Sequence, residues 1–563
     1  MIAPWGALLV YATAFLRIEA QSTELRVDIT QGPVIGYKVP DTDVFSFNGI
    51  PYATAPTGTD KFKAPLPPPT WTEPFEAKDN RITCPQQLFL DRNITEDCLI
   101  ANIYVPDTEA TNLPVLVAVH GGAFQIGYGD LDKPVSLVNT KRLIAVNFNY
   151  RLGAHGFLCL GTEDAPGNAG MKDQVALLRW VKTNIAAFGG NPDDVTVVGC
   201  SAGGASVDLL RLSSTTDDLM SKAMPASGGN AGSFGIQLDP VANAKFYASA
   251  LGFENVEDIA ALGEFYKTAP LLTLLSRPEL ISTRPDSNVI FAPCVEKDIG
   301  VERFLEDAPV NILNKGEHKS MPLLYGFAEK EGLIRLGNFE IWRYLMDSKF
   351  SDFLPADLEF SSEDEKEEVA SRVREFYFGN QTINEGSILA YIDYFSDVLF
   401  AYSMLRSVRL NSKGNNNSPT YLYEYSFYDD NTPIIPHTNE RGPDHCDQYT
   451  PIFDIDETDI SQEYRDMIAV LRSMLIDFVT TGNPVSAGSV LPAWAHADAT
   501  RAPHVNLGVN VTLRGPLNQE RAELWDSIYD QHYRTPISPG NTASITRMVS
   551  SLWILYSVVI FTM

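Results

Sequence analysis

Val195-Thr196-Val197-Val198-Gly199-Cys200-Ser201-Ala202-Gly203-Gly204 is the stretch whose reading decides the fold. Its apolar, β-branched run reads as a buried strand. The run breaks at a glycine-flanked serine and passes into Ala205-Ser206-Val207-Asp208-Leu209-Leu210-Arg211-Leu212, which continues as helix. A strand entering a helix through so tight a turn leaves little room, so small residues must flank a serine held in a strained conformation with its hydroxyl exposed. This pattern is a nucleophile elbow, and it points to acyl transfer through Ser201. In a chain with 39 glycines a lone GxSxG also arises as an ordinary glycine-rich turn; the preceding strand and following helix separate the two readings.

Upstream, Leu113-Pro114-Val115-Leu116-Val117-Ala118-Val119 reads as a second buried strand ending in His120-Gly121-Gly122-Ala123-Phe124. Paired glycines let backbone N–H groups approach a substrate without a Cβ in the way. With the N–H of Ala202, Gly121 and Gly122 are candidates for an oxyanion hole. His120 reads as a structural residue of that loop.

A serine hydroxyl needs an imidazole to take its proton, and the imidazole needs a carboxylate to fix its tautomer and stabilise its charged form. In α/β-hydrolases these follow in the order Ser, then Asp or Glu, then His. Among the eight histidines, His437, His445, His496, His504 and His532 satisfy the order. His445 stands out because Gly442-Pro443-Asp444-His445-Cys446-Asp447-Gln448 is a polar, turn-rich segment following the strand-like Tyr421-Leu422-Tyr423-Glu424-Tyr425-Ser426-Phe427. His437, beside Pro436, is second. For the acid, Met321-Pro322-Leu323-Leu324-Tyr325-Gly326-Phe327 reads as a strand leading to Glu329 and Glu331, which spacing alone does not separate.

With these segments in hand, the chain resembles the type-B carboxylesterase and cholinesterase family over nearly all of its length. The resemblance is carried by Phe47-Asn48-Gly49-Ile50-Pro51-Tyr52-Ala53, Thr95-Glu96-Asp97-Cys98-Leu99, Asn149-Tyr150-Arg151-Leu152-Gly153, Gly167-Asn168-Ala169-Gly170, Asp173-Gln174, Trp180-Val181, Phe188-Gly189-Gly190, the elbow, and Ser227-Gly228. It implies an α/β-hydrolase fold and a catalytic triad of Ser201, Glu331 and His445. It further implies Gly121, Gly122 and Ala202 as oxyanion donors, Ser227 as a hydroxyl supporting the acid, and Arg151 with Asp173 as a structural ion pair. Cys84 and Cys98 match the family's first disulfide.

The departures from the pattern carry information too. The residue before the nucleophile, commonly an acid or amide in relatives, is Cys200. The loop between Cys84 and Cys98 lacks the tryptophan with which cholinesterases bind a quaternary ammonium, so choline esters are not the expected substrates. Cys159, Cys200, Cys294 and Cys446 have no family partner, and their pairing is left open. Cys200 and Cys446 each adjoin a triad member, so they approach one another if Ser201 and His445 do. That makes them either a redox-sensitive pair beside the pocket or two buried, inert thiols.

The first 20 residues, with the apolar run from Ala7 to Leu16, read as a signal peptide. Sequons at Asn93, Asn380, Asn416 and Asn510 agree with secretion. Residues 536–563 combine a small polar stretch, Ser538 to Ser544, with the apolar end Leu552 to Met563. This is the pattern of a GPI-anchor signal, with the site near Gly540 or Asn541; the competing readings are a single tail helix and a plain packing helix. A net charge of −28 argues against nucleic-acid binding. The acidic run Ser362 to Glu368 reads as a solvated helix start with capping-box spacing from Ser362 to Glu365.

Strands alternate with helical stretches from Val115 to Leu212, as crossover connections in a mostly parallel sheet require, and no repeat or long linker divides the chain. The expectation is one large domain over residues 21–535 that hydrolyses small carboxylic esters through an acyl-enzyme, with neither metal nor organic cofactor. The rival class is a cell-surface adhesion or binding protein on the same scaffold, and covalent labelling by an organophosphate separates the two.

Overall fold

The computed structural model describes residues 23–540, apart from 80, 88–91, 278–283, 317 and 414–417. The expected leader, most of the expected anchor signal and the sequon at Asn416 lie outside the described residues. Asn93, Asn380 and Asn510 are exposed.

A sheet of 13 strands organises the chain. At its centre seven strands run parallel, in the order Ile144–Phe148, Leu113–Val119, Gly190–Cys200, Lys222–Ala226, Leu323–Ala328, Thr420–Tyr425 and His504–Leu507. Antiparallel strands extend it on both sides: Glu24–Ile29, Gly32–Lys38, Val44–Pro51 and Ile100–Pro106 on one, Val511–Arg514 on the other. The central strands are buried along nearly their whole length, which is why they read as continuous apolar runs rather than alternating ones. Two apolar clusters cover the faces. One packs Val117 and Val197 with Leu177, Trp180 and Leu209; the other packs Leu116 and Val198 with Leu471, Leu475 and Phe478.

Crossover helices connect the parallel strands, as a parallel ladder demands. Ala169–Asn184 leads into the serine-bearing strand, and Ala202–Leu210 leaves it. A long apolar helical stretch, residues 385–413, is 83% buried over its most apolar window, so it is a core element. It contains a π-helical turn, Asp397–Ala401, of the kind that recurs at functional sites.

The acidic run forms the helix Glu363–Phe378, and the Ser362 side chain accepts from the Glu365 N–H. The other arm of the expected capping box is displaced by one residue: the Glu365 carboxylate accepts from the N–H and hydroxyl of Ser361, at 2.6 and 2.7 Å. All three disulfides are formed: Cys84–Cys98, Cys159–Cys294 and Cys200–Cys446. Cys200 and Cys446 are therefore joined, not inert thiols.

Candidate active site

Ser201 lies at the C-terminal end of the central strand, where ligands of open parallel sheets gather. Its φ of +60° and ψ of −126° place it in a sparsely populated region. What permits the turn is the absence of side chains around it. A Cβ on Gly203 would stand 2.1 Å from the Val119 carbonyl oxygen, and one on Gly199 would stand 2.6 Å from the backbone of Gly203. The Ser201 N–H donates to the Ala226 carbonyl at 3.0 Å and so anchors the turn to the next strand.

The glycine loop after Val119 wraps against the same turn. A Cβ on Gly121 would lie 2.7 Å from the Cys200 carbonyl oxygen and 3.2 Å from Ser201 Cβ, so only glycine allows this approach. Gly122, Ala123 and Phe124 all take positive φ. Among the described residues, the N–H groups of Gly121, Gly122 and Ala202 donate to no protein acceptor. His120 is buried, its ring stacked on Tyr150 with centroids 4.3 Å apart. Its Nδ1 lies 2.8 Å from the Gly121 carbonyl, which fixes that nitrogen as the donor. Burial pushes the ring down to about 4, so it stays neutral at physiological pH. His120 thus shapes the loop and is no proton carrier.

Glu331 follows the strand Leu323–Ala328 and is fully buried. One carboxylate oxygen accepts from the Ala328 N–H at 2.9 Å and from the Ser227 hydroxyl; the other meets Nδ1 of His445. Ser227 in turn accepts from Nε2 of Gln448, which also donates to the Gly326 carbonyl at 3.3 Å. Glu329 points elsewhere: its carboxylate is 40% exposed and lies 3.6 Å from Nζ of Lys330.

His445 sits in the loop beyond Thr420–Tyr425 with a 10% exposed side chain. Its ring is held on three sides: by Glu331 at Nδ1, by the Phe400 ring stacked on its face, and by the loop itself. Within that loop Asp444 and Asp447 bind each other's backbone, and the His445 N–H donates to Asp444 at 2.6 Å. Nε2 of His445 is buried and has no hydrogen-bond partner, so no bond joins it to the Ser201 hydroxyl. Catalytic bonds of this kind are often long before substrate binds. The proximity of the two residues rests instead on their neighbours, because Cys200 and Cys446 are bonded with Cα atoms 6.1 Å apart.

The other histidines are engaged elsewhere. His437 is exposed beside Glu340 and Glu385, His496 lies 3.2 Å from the Tyr421 hydroxyl, His504 meets the Gly515 carbonyl, and His532 packs on Phe360. Arg151 and Asp173 form a buried bidentate pair at 2.8 and 2.7 Å that ties the strand-end loop at 149–153 to the helix Ala169–Asn184.

Two parts of the site escaped the sequence reading. Gln448 ends a polar, turn-rich loop, and nothing local in the sequence marks it as the partner of Ser227. The second is a buried network: Asp208 accepts from Arg211 and from the Tyr325 hydroxyl, each at 2.6 Å, and from the Asn230 N–H at 2.8 Å. It locks the helix that follows the elbow to the strand that leads to Glu331.

Known proteins resemble the chain over most of its length. The sequence profile of the carboxylesterase family matches residues 23–525. A carboxylic ester hydrolase of Bombus ignitus is 30% identical over 518 residues, covering 86% of this chain and 90% of that one. Juvenile hormone esterase of Heliothis virescens is 32% identical over 434 residues, 73% and 75% of the two chains. The crystal structure of juvenile hormone esterase from Manduca sexta, with OTFP covalently attached, superposes with a TM-score of 0.79 at 29% identity, covering 90% of this chain and all of that one. A PNB esterase superposes at 0.69 with 28% identity, covering 89% and 99%. With a strained serine at the strand end, a buried Glu–His pair beside it and these likenesses along its length, the chain is a carboxylic ester hydrolase and belongs to the carboxylesterase family.

Proposed function

We propose that hydrolysis proceeds through an acyl-enzyme on Ser201, with His445 as the base and Glu331 as its orienting acid. The observation that carries this reading is the state of His445: Nδ1 is engaged by a buried carboxylate, while buried Nε2 has no partner. A ring so held presents one nitrogen for proton transfer and keeps the tautomer that transfer needs. Nε2 takes the Ser201 proton as the oxygen attacks the ester carbonyl. The N–H groups of Gly121, Gly122 and Ala202 receive the negative charge on the carbonyl oxygen. The imidazolium then protonates the departing alcohol, and water repeats the sequence to release the acid. Glu331 stays ionised throughout and stabilises the charged ring.

The test is Ser201→Ala with an organophosphate probe. Wild-type protein should be labelled stoichiometrically at Ser201 and turn over at least one member of a panel of acetyl to long-chain esters. Ser201→Ala should do neither while melting as the wild type does. A folded wild-type chain that takes no label would instead be an inert scaffold at the cell surface.

The mature enzyme works on the extracellular face of the cell membrane, reached by the secretory route and held by a GPI anchor attached near Gly540 or Asn541. The leader over residues 1–20, the polar-then-apolar pattern of residues 536–563 and the exposed sequons at Asn93, Asn380 and Asn510 support this reading. Phosphatidylinositol-specific phospholipase should release the activity from intact cells; activity retained on the cells would refute the anchor.

A further inference from the structure

We propose that the Cys200–Cys446 disulfide is a positioning element of the catalytic triad, a covalent strap holding the base-bearing loop against the nucleophile. The proposal rests on the reading of Ser201 and His445 given above. Its basis is placement: the bond joins the residue immediately before the nucleophile to the residue immediately after the base, across 246 positions of chain. No other covalent link reaches this loop, since the remaining disulfides are Cys84–Cys98 and Cys159–Cys294.

The loop has few other ties to the sheet. Apart from its own turn and the Phe400 ring stacked on His445, the polar ties of the segment Gly442–Gln448 are the His445–Glu331 contact and Gln448 at Ser227 and Gly326. All of these lie on the acid side of the ring. Nothing polar holds the ring on the serine side, where Nε2 has no partner. The strap supplies the constraint that is otherwise missing there. It also explains a backbone oddity: Cys446 takes φ +69°, a left-handed conformation that a non-glycine residue adopts when its surroundings over-determine it. In reactions that depend on placement, a shift of about 1 Å costs on the order of a hundredfold in rate.

The experiment compares Cys200→Ala/Cys446→Ala with Cys159→Ala/Cys294→Ala, which removes the other long-range bond and alters no residue adjoining a triad member in sequence, and with Ser201→Ala. The strap variant should lose about a hundredfold in kcat with KM within about threefold, because the base is misplaced. The other pair should lose thermal stability yet keep kcat. Equal kcat in both pair variants, after correction for the folded fraction, overturns the proposal. If Ser201→Ala retains turnover, the triad assignment itself is at fault, and the two failures are thereby told apart.

Should the strap variant not fold, wild-type enzyme is titrated with dithiothreitol under native conditions. Cys446 is partly exposed while Cys200 is buried, so the thiolate enters at Cys446 and expels the Cys200 thiolate, which takes up a proton. The second thiol of the reagent then displaces Cys446, leaving two protein thiols and the cyclic oxidised reagent. Loss of activity should track the appearance of alkylatable Cys200 and Cys446, and full activity with both cysteines mapped as thiols overturns the proposal.

Discussion

Phe400 lies face to face on the imidazole of His445, with ring centroids 3.9 Å apart and planes inclined by 20°. The aromatic face is where a positive ring is stabilised, and in the proposed mechanism His445 becomes positive only as the serine proton arrives. Phe400→Leu should therefore raise the barrier by about 1 kcal/mol, roughly a fivefold loss in kcat. A loss confined to KM would show that Phe400 contacts substrate instead.

Removing the charge but not the shape of the acid is a sharper change. Glu331→Gln leaves a side chain of the same size, yet the amide presents an N–H where the carboxylate accepted from Nδ1, inviting the wrong tautomer. A fall in kcat of about 10⁴ is expected, as for the equivalent change in a dissected serine protease. Glu329→Gln, two residues away and exposed, should leave steady-state rates unchanged.

Gly121 makes a steric prediction. The methyl of Gly121→Ala would stand 2.7 Å from the Cys200 carbonyl and must push the glycine loop off the elbow. Loss of one oxyanion donor costs about 2.7–4 kcal/mol in kcat. Steady-state kinetics should show that loss with little change in melting temperature, and a variant with normal kcat would remove Gly121 from the oxyanion role.

His120 predicts a pH dependence of stability. Its folded value of about 4 lies below the unfolded value near 6.5. Between the two, the unfolded chain holds a proton that the folded chain refuses, so stability is fully present above 6.5 and is lost as pH falls toward 4. From pH 7 to 4.5 the wild type should lose about 2–3 kcal/mol more than His120→Gln in chemical denaturation. Buried His155, His318 and His504 titrate in both proteins and cancel. Equal losses would place the ring in water.

The fold was legible because its signals are local. Val195 to Cys200 and Leu113 to Val119 are uninterrupted apolar runs because parallel strands are buried on both faces, and the elbow glycines report a backbone contact that no side chain permits. Ser362 announced its helix for the same reason. What remained hidden is held together across the chain. Gln448 and Ser227 are 221 residues apart, and Asp208 meets Tyr325 from 117 away. Neither side chain leaves a trace on its own neighbours in sequence. Choosing Glu331 over Glu329 needed the family resemblance, since two carboxylates in one short loop differ only in which way they point.

The two long disulfide loops overlap along the chain: the one closed at Cys294 opens at Cys159, and the one opened at Cys200 closes only at Cys446. During synthesis, at about 5–20 residues per second, Cys200 emerges roughly 10–50 s before its partner exists. In that interval the unpaired thiols of Cys84, Cys98, Cys159 and Cys294 are its alternative partners, and thiol exchange can join it to any of them. Correct pairing thus requires an oxidising compartment that also reshuffles mistaken bonds. A bacterial cytosol should yield chains with the right sheet and an unfastened base, so recombinant protein is best judged by its specific activity, not by its solubility.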